Sequence, residues 1–271
     1  MDKKCAPGKN FKDGSCFSLD NLIEIAENYN RQFPLKSFPI RRTDKKYLLR
    51  NLTSRMKEDY GCDNQVCWIN TSFVKNIKND DITHFTFRPN GPRGKYDWLS
   101  TSDINKVMKQ YEGKYKDFKF LGAVPYDFED LPYLETYNFD LNKLKTNGKN
   151  RVGMVINLDT HDKDGSHWVA FYANLKQKQI YFFDSFAKQP GKRIQNFANK
   201  FLTEFSGGGS QRQSSFQHNQ VRHQFNNSEC GVYSMNFIIR LLHGETFEGI
   251  TGNITKDTEM NACRQSYFRN N

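Results

Sequence analysis

The chain has 271 residues, a formal net charge of +10, 14% aromatic side chains and a mean hydropathy of −0.81. That length can bury one large core, or a core with an arm, and the apolar clusters recurring among abundant Lys, Asn and Gln exclude a disordered chain. No run approaches the ~18 apolar residues of a membrane span, and Met1-Asp2-Lys3-Lys4 leads into no apolar signal segment, so a soluble intracellular protein is expected.

The N-terminal quarter opens with the loop-like Ala6-Pro7-Gly8. Ser18 or Asp20 then caps a helix through Leu22, Ile23, Ile25 and Ala26, and a second helical piece runs from about Lys45 to Lys57. Cys5, Cys16, Cys62 and Cys67 all fall here. The Cys62-x4-Cys67 spacing is wide for a zinc knuckle and Cys5-x10-Cys16 is no knuckle at all, so reduced or occasionally paired thiols are expected rather than zinc, and no cofactor. Residues 1–95 carry 18 basic and 11 acidic side chains against 22 and 19 in 96–271. Arg41-Arg42 and Lys45-Lys46 make a DNA contact through this basic arm one reading, with a solvated basic face the favoured one. The breakers in Arg88-Pro89-Asn90-Gly91-Pro92-Arg93-Gly94 put a boundary there: an arm domain at 1–95 and a core domain at 96–271.

In the core, Trp98-Leu99 precede a cap at Ser102-Asp103, and Ile104, Val107, Met108 and Tyr111 mark one face of a helix. Phe118 to Val124 reads as a short strand and Val152 to Leu158 as a buried one. Trp168 to Ala173 and Gln179 to Asp184 form a hairpin through the polar turn Asn174 to Lys178. A helix from Ile194 to Phe205, a flexible turn over Ser206-Gly207-Gly208-Gly209-Ser210 and a short strand over Gln220 to Gln224 follow. Mixed strands and helices give an α+β class. Next comes Phe225-Asn226-Asn227-Ser228-Glu229-Cys230-Gly231, a loop that delivers a cysteine to a helix start. Asn227 and Ser228 are its expected N-caps. Val232, Met235, Ile238, Ile239 and Leu242, with Phe237 and Leu241, predict a helix buried nearly all round that stops at Gly244.

A thiol in such a first turn sits among unpaired N–H donors at the positive end of the helix dipole, the setting of a nucleophile. Alone, Cys230 reads equally as a buried structural cysteine. Nucleophilic chemistry also requires a base, an orienter for the base and donors for an oxyanion. His167 at the start of one hairpin strand and Asp184 at the end of the next become neighbours in an antiparallel pair. Singly, they read as a structural histidine and a strand-end carboxylate; joined to Cys230, they read as catalytic. His161, His218, His223, His84 and His243 are the rivals for the base, and strand alternation turns His223 away from Gln224. Gln224 can offer its amide N–H beside the backbone N–H of Cys230.

The pattern Gly165-Ser166-His167-Trp168, then Phe182-Phe183-Asp184-Ser185, then Gln224 with Cys230-Gly231 resembles the SUMO-protease and adenovirus-protease clan of cysteine peptidases. The segment Trp98-Leu99-Ser100-Thr101-Ser102-Asp103 is similar to that family's Trp-Leu-x-Asp channel segment. The N-terminal cysteines and Phe120-Leu121-Gly122-Ala123-Val124-Pro125-Tyr126-Asp127-Phe128 resemble the branch found in large DNA viruses of the African swine fever virus and mimivirus type. The resemblance implies a papain-like core of the SUMO-protease type, with Cys230 as nucleophile, His167 as base, Asp184 as orienter and Gln224 in the oxyanion hole. Trp98 and Trp168 would flank a narrow Gly-Gly channel. It also implies a viral endopeptidase that processes structural polyproteins at Gly-Gly sites, in the virion and the host cytoplasm, without a membrane partner. A SUMO or ubiquitin isopeptidase and a basic DNA-binding virion protein are the alternatives. Two positions depart from the pattern: the place of Asp184 is an amide in the swine fever enzyme, and the usual Asp before the nucleophile is Glu229.

Overall fold

The computed structural model describes residues 4–206 and 215–270, and the described chain divides after Asn90 into two compact units. In the first unit, α1 (Leu19–Gln32) starts where the Ser18 side chain accepts the Asn21 N–H. Asp44 caps α2 (Lys45–Tyr60) in the same way, and Gly61 ends it in the left-handed region at φ 65°. Three single-turn helices follow: α3 (Gln65–Trp68), α4 (Ser72–Lys75) and α5 (Asp80–Thr83). Leu22, Ile25, Ala26 and Tyr29 recur on one face of α1 and share a core with Leu48, Leu52 and Met56 of α2. Where the sequence favours thiols, this unit carries two disulfides, Cys5–Cys16 and Cys62–Cys67. The first closes the chain ahead of α1 and the second closes the turn between α2 and α3.

The second unit is built on a five-stranded sheet whose spatial order follows the chain: β1 (Phe118–Val124), β2 (Arg151–Asn157), β3 (Trp168–Asn174), β4 (Gln179–Phe183) and β5 (Ser215–His218). α6 (Thr101–Lys114) precedes β1. The parallel pairs β1·β2 and β4·β5 need crossovers, which contain α7 (Leu141–Thr146) and α8 (Lys192–Ser206); β2, β3 and β4 pair antiparallel. Period-two alternation sorts β3 into two cores, with Ala170 and Tyr172 on one face and Val169, Phe171 and Ala173 on the other. The second face packs on α8, where Phe197 and Phe201 meet the ring of Phe171; each fully buried Phe contributes roughly 1.5–3 kcal/mol. The first face takes α9 (Cys230–Leu242), in which every residue but Asn236 and Arg240 is buried, followed by α10 (Phe247–Thr251) and α11 (Asp257–Tyr267).

Three local expectations change. The cap of α6 is Ser100, in a reciprocal capping box with Asp103, because that pairing satisfies two backbone donors at once. Residues 220–224 form no strand. Asn219 bonds both backbone groups of Asp184, and the N–H groups of His223 and Gln224 converge on the Ser185 carbonyl, leaving no ladder to extend. Glu229, rather than Asn227 or Ser228, is the N-cap residue of α9, and it places no side-chain acceptor on the first turn. The glycine-rich turn beyond Ser206 lies outside the described residues.

Candidate active site

His167 stands one residue before β3 and Asp184 one residue after β4, so antiparallel pairing brings the two ends together. His167 Nε2 lies 2.6 Å from Asp184 Oδ1, and the same oxygen accepts the Phe186 N–H at 2.9 Å. Asp184 is 1% exposed and is held through its backbone by Asn219. Its carboxylate can therefore point only one way. Phe186 also lies against the imidazole, ring centroids 4.6 Å apart and nearly parallel. The Arg222 guanidinium sits over Phe186 at 5.0 Å and over Phe225 at 4.9 Å.

Cys230 opens α9 and is 3% exposed, with its thiol close enough to His167 to help raise the imidazole. Burial alone pushes the imidazole down, but the hydrogen bonds and charges of Asp184 and Cys230 outweigh it. His167 rises from the ordinary 6.5 to about 9. A protonated imidazole beside a thiol is the arrangement in which the proton can be shared and later donated.

Gln224 is 1% exposed and its orientation is fixed twice. Ser185 Oγ donates to its Oε1 at 2.6 Å, and its Nε2 donates to the Asn226 carbonyl at 2.6 Å. An amide nitrogen carries two N–H groups, so one is left for another acceptor. The missing side-chain cap on α9 leaves the first-turn backbone donors beside Cys230 in the same condition. Donors with no partner next to a thiol suit a developing oxyanion.

A cleft of about 550 Å³ is walled by Trp98, Leu99, Tyr133, Asn157, His161, Ser166 and Trp168, the last two flanking His167 in the chain. Trp98 is 51% exposed, whereas Trp168 is buried and donates its Nε1–H to the Leu99 carbonyl at 2.9 Å. Gly231 allows this close approach: a Cβ there would stand 3.1 Å from Leu99 Cβ and 3.3 Å from Trp168 Cδ1. Gly165, at φ +87°, turns the β2–β3 connection over Asn157 just before His167.

The five candidate residues Trp168, His167, Asp184, Gln224 and Cys230 thus converge, and Trp98 joins them along the cleft. Of the rival histidines, His161 lines the same cleft, while His223 and His243 lie apart from it. His161 pairs with Asp127, which holds it above its ordinary value. His223 is buried and accepts the Thr255 N–H, while His243 lies by Tyr111 and Tyr115. Among the described residues no three His, Cys, Asp or Glu side chains converge as metal ligands. Ser185, Phe186 and Asn219 escape sequence reasoning. Only the adjacency of Ser185 and Phe186 to Asp184 could have flagged them; Asn219 reads as an ordinary loop residue.

The description "Ulp1 protease family, C-terminal catalytic domain" matches residues 150–271. A putative thiol protease of Acanthamoeba polyphaga mimivirus is 38% identical over 283 residues, spanning 98% of this chain and 93% of the relative. A protein of African swine fever virus named a SUMO-1 cysteine protease is 25% identical over 246 residues, 83% of this chain and 90% of the relative. The crystal structure of the African swine fever virus protease shares the fold at a TM-score of 0.67 and 22% identity, over 83% of this chain and 90% of that one. The likeness to the mimivirus relative therefore runs through the N-terminal unit as well as the core.

Proposed function

The chain belongs to the Ulp1-like cysteine proteases, in the viral branch that includes the mimivirus and swine fever virus relatives, and from that premise we propose that it is an endopeptidase cutting viral structural polyproteins after Gly-Gly. The observation that carries the reading is the cluster of Cys230, His167 and Asp184 beside the Trp98–Trp168 cleft. In this mechanism the Cys230 sulfur attacks the scissile carbonyl carbon, and the oxyanion is received by the Cys230 backbone N–H and the free N–H of Gln224. His167 gives its proton to the leaving amine, then takes one from the water that opens the thioester. Asp184 holds the imidazole in register throughout. Two indoles leave little width, which favours glycine on the acyl side of the cut bond. The sites of action are the virion and the viral factory.

Cleavage of the virus's own capsid and core polyproteins by wild type, compared with Cys230→Ala, tests the proposal. Wild type is expected to give fragments ending in Gly-Gly and the variant none. Equal cleavage by both would end it. The name of the swine fever relative favours a second reading, removal of SUMO or ubiquitin. Reaction of wild type with SUMO and ubiquitin probes in preference to Gly-Gly-x peptides selects that reading instead. A DNA contact through the arm has less support. Lys36 is engaged by Asp59, Arg42 by Glu27, and Lys45 by the Lys12 carbonyl. A salt-dependent affinity for duplex DNA would restore it.

A further inference from the structure

The C-terminal helix α11 carries Asp257, Asn261 and Arg264 at spacings of four and three, so all three share one face. As sequence, that stripe looks like a solvated surface. In the structure Asn261 is 8% and Arg264 2% exposed, and the stripe faces two segments of the active site. Asp257 Oδ2 accepts the N–H groups of Phe225 and Asn226 at 2.9 and 3.0 Å, holding the loop that carries Gln224. Asn261 Nδ2 donates to Glu229 Oε1 at 2.9 Å and to the Lys95 carbonyl at 2.8 Å. Arg264 donates through Nε to Glu229 Oε2 at 2.8 Å and through Nη2 to the Asp97 carbonyl at 2.7 Å. Glu229 immediately precedes Cys230. Asp97 immediately precedes Trp98.

We propose that α11 braces the active site, with Arg264 as a positioning residue that fixes Cys230 through Glu229 and the Trp98 wall through the Asp97 carbonyl; this rests on the reading of Cys230 as nucleophile. Three observations favour a positioning role over bulk stability. A buried ion pair is often no more stable than apolar residues of the same volume, so burial of this pair does not by itself explain its presence. The guanidinium spans two segments that the chain separates by more than a hundred residues, and a planar fork can do so where a single ammonium cannot. Glu229 would otherwise set an uncompensated carboxylate beside a thiol that must act as an anion, and Arg264 neutralises it.

The test uses the full chain with Arg264→Lys, which keeps the charge but loses the fork, and the double variant Glu229→Gln/Arg264→Met, which removes both charges at similar volume. Competent molecules are counted by iodoacetamide labelling of Cys230, located by mass spectrometry with Cys230→Ala as the background for Cys263. Turnover of a Gly-Gly-x peptide is then expressed per labelled Cys230. Both variants are expected to lose on the order of tenfold to a hundredfold in kcat per labelled site, as misplacement does, and to raise KM as the Trp98 wall moves. Labelling is done on the folded fraction isolated by size exclusion and checked by thermal melting, because an unfolded chain also exposes its thiol to iodoacetamide; in that fraction a merely structural Arg264 would leave kcat per site and KM at wild-type values. That result in either variant overturns the proposal. If wild type labels at Cys230 but cuts no peptide, the protease reading fails by itself, and the brace is judged on the labelling rate. It survives if that rate changes in the variants and falls if it does not.

Discussion

His167 and Asp184, 17 residues apart on neighbouring strand ends, share a 2.6 Å hydrogen bond between two buried side chains. With Cys230 this bond lifts the imidazole to about 9, so the ring is charged through the neutral range. A folded-state value above the unfolded one adds stability that is fully present below about 6.5 and is lost as pH rises through about 9. The same deprotonation removes the acid that a leaving amine requires. We predict an alkaline limb in kcat/KM with an apparent value near about 9 for the coupled pair. Asp184→Asn removes a raising partner and should move that limb down toward 6.5. An unmoved limb would assign the ionisation to another group.

Gln224 and Ser185 permit a graded pair of substitutions. On the proposed mechanism Gln224→Ala deletes an oxyanion donor, and it is expected to lower kcat by about 10²–10³ with little change in KM. Ser185→Ala leaves the donor but frees its orientation and strands the buried Oε1. It should cost roughly 1–3 kcal/mol of stability, with a smaller loss of kcat. Steady-state kinetics beside thermal melting decide this; a Ser185→Ala defect equal to that of Gln224→Ala would mean that the serine acts directly.

The cleft walls make a prediction about selectivity. Trp98→Ala should reduce the ratio of kcat/KM for Gly-Gly-x over Ala-Gly-x peptides, since removing a wall relieves the clash with an added methyl. Gly231→Ala pushes a methyl toward Leu99 and Trp168. It is expected to raise KM and cost about 1–3 kcal/mol in stability. Unchanged discrimination in Trp98→Ala would remove that indole from the channel.

The disulfides predict unequal losses in the Met1–Asn90 unit. Cys5–Cys16 closes a sequence separation of 11 and Cys62–Cys67 one of 5. Each doubling of a loop adds about 0.6 kcal/mol of closure entropy, so Cys5→Ser should destabilise slightly more than Cys62→Ser. Melting of each variant under non-oxidising and oxidising conditions tests the order; melts insensitive to reductant would show that neither bond contributes.

What was legible in the sequence follows from what periodicity encodes. The alternation in Trp168 to Ala173 and Gln179 to Asp184 exposes a hairpin, and a hairpin places its own ends together, so His167 and Asp184 could be paired without coordinates. The all-apolar run after Cys230 likewise announced a buried helix, which α9 is. The cap of that helix departs from the local rules, which favour Asn and Ser, because the turn is held by tertiary bonds to Glu229 from Arg264 and Asn261. Residues 220–224 form no strand for a similar reason, the His223 and Gln224 N–H groups being bonded to the Ser185 carbonyl. Polar contacts across long separations carry no period, so Asn219 and the stripe on α11 stayed invisible.

That stripe gives the molecule an order of completion in time. Translation delivers Trp98, His167, Asp184, Gln224 and Cys230 to the folding chain before Arg264 exists. Until α11 emerges, Glu229 has no cation to meet it and Asp97 has no tether. A chain that has emerged only as far as Cys230 thus holds the side chains of the candidate site without the bonds that α11 brings to Glu229 and Asp97.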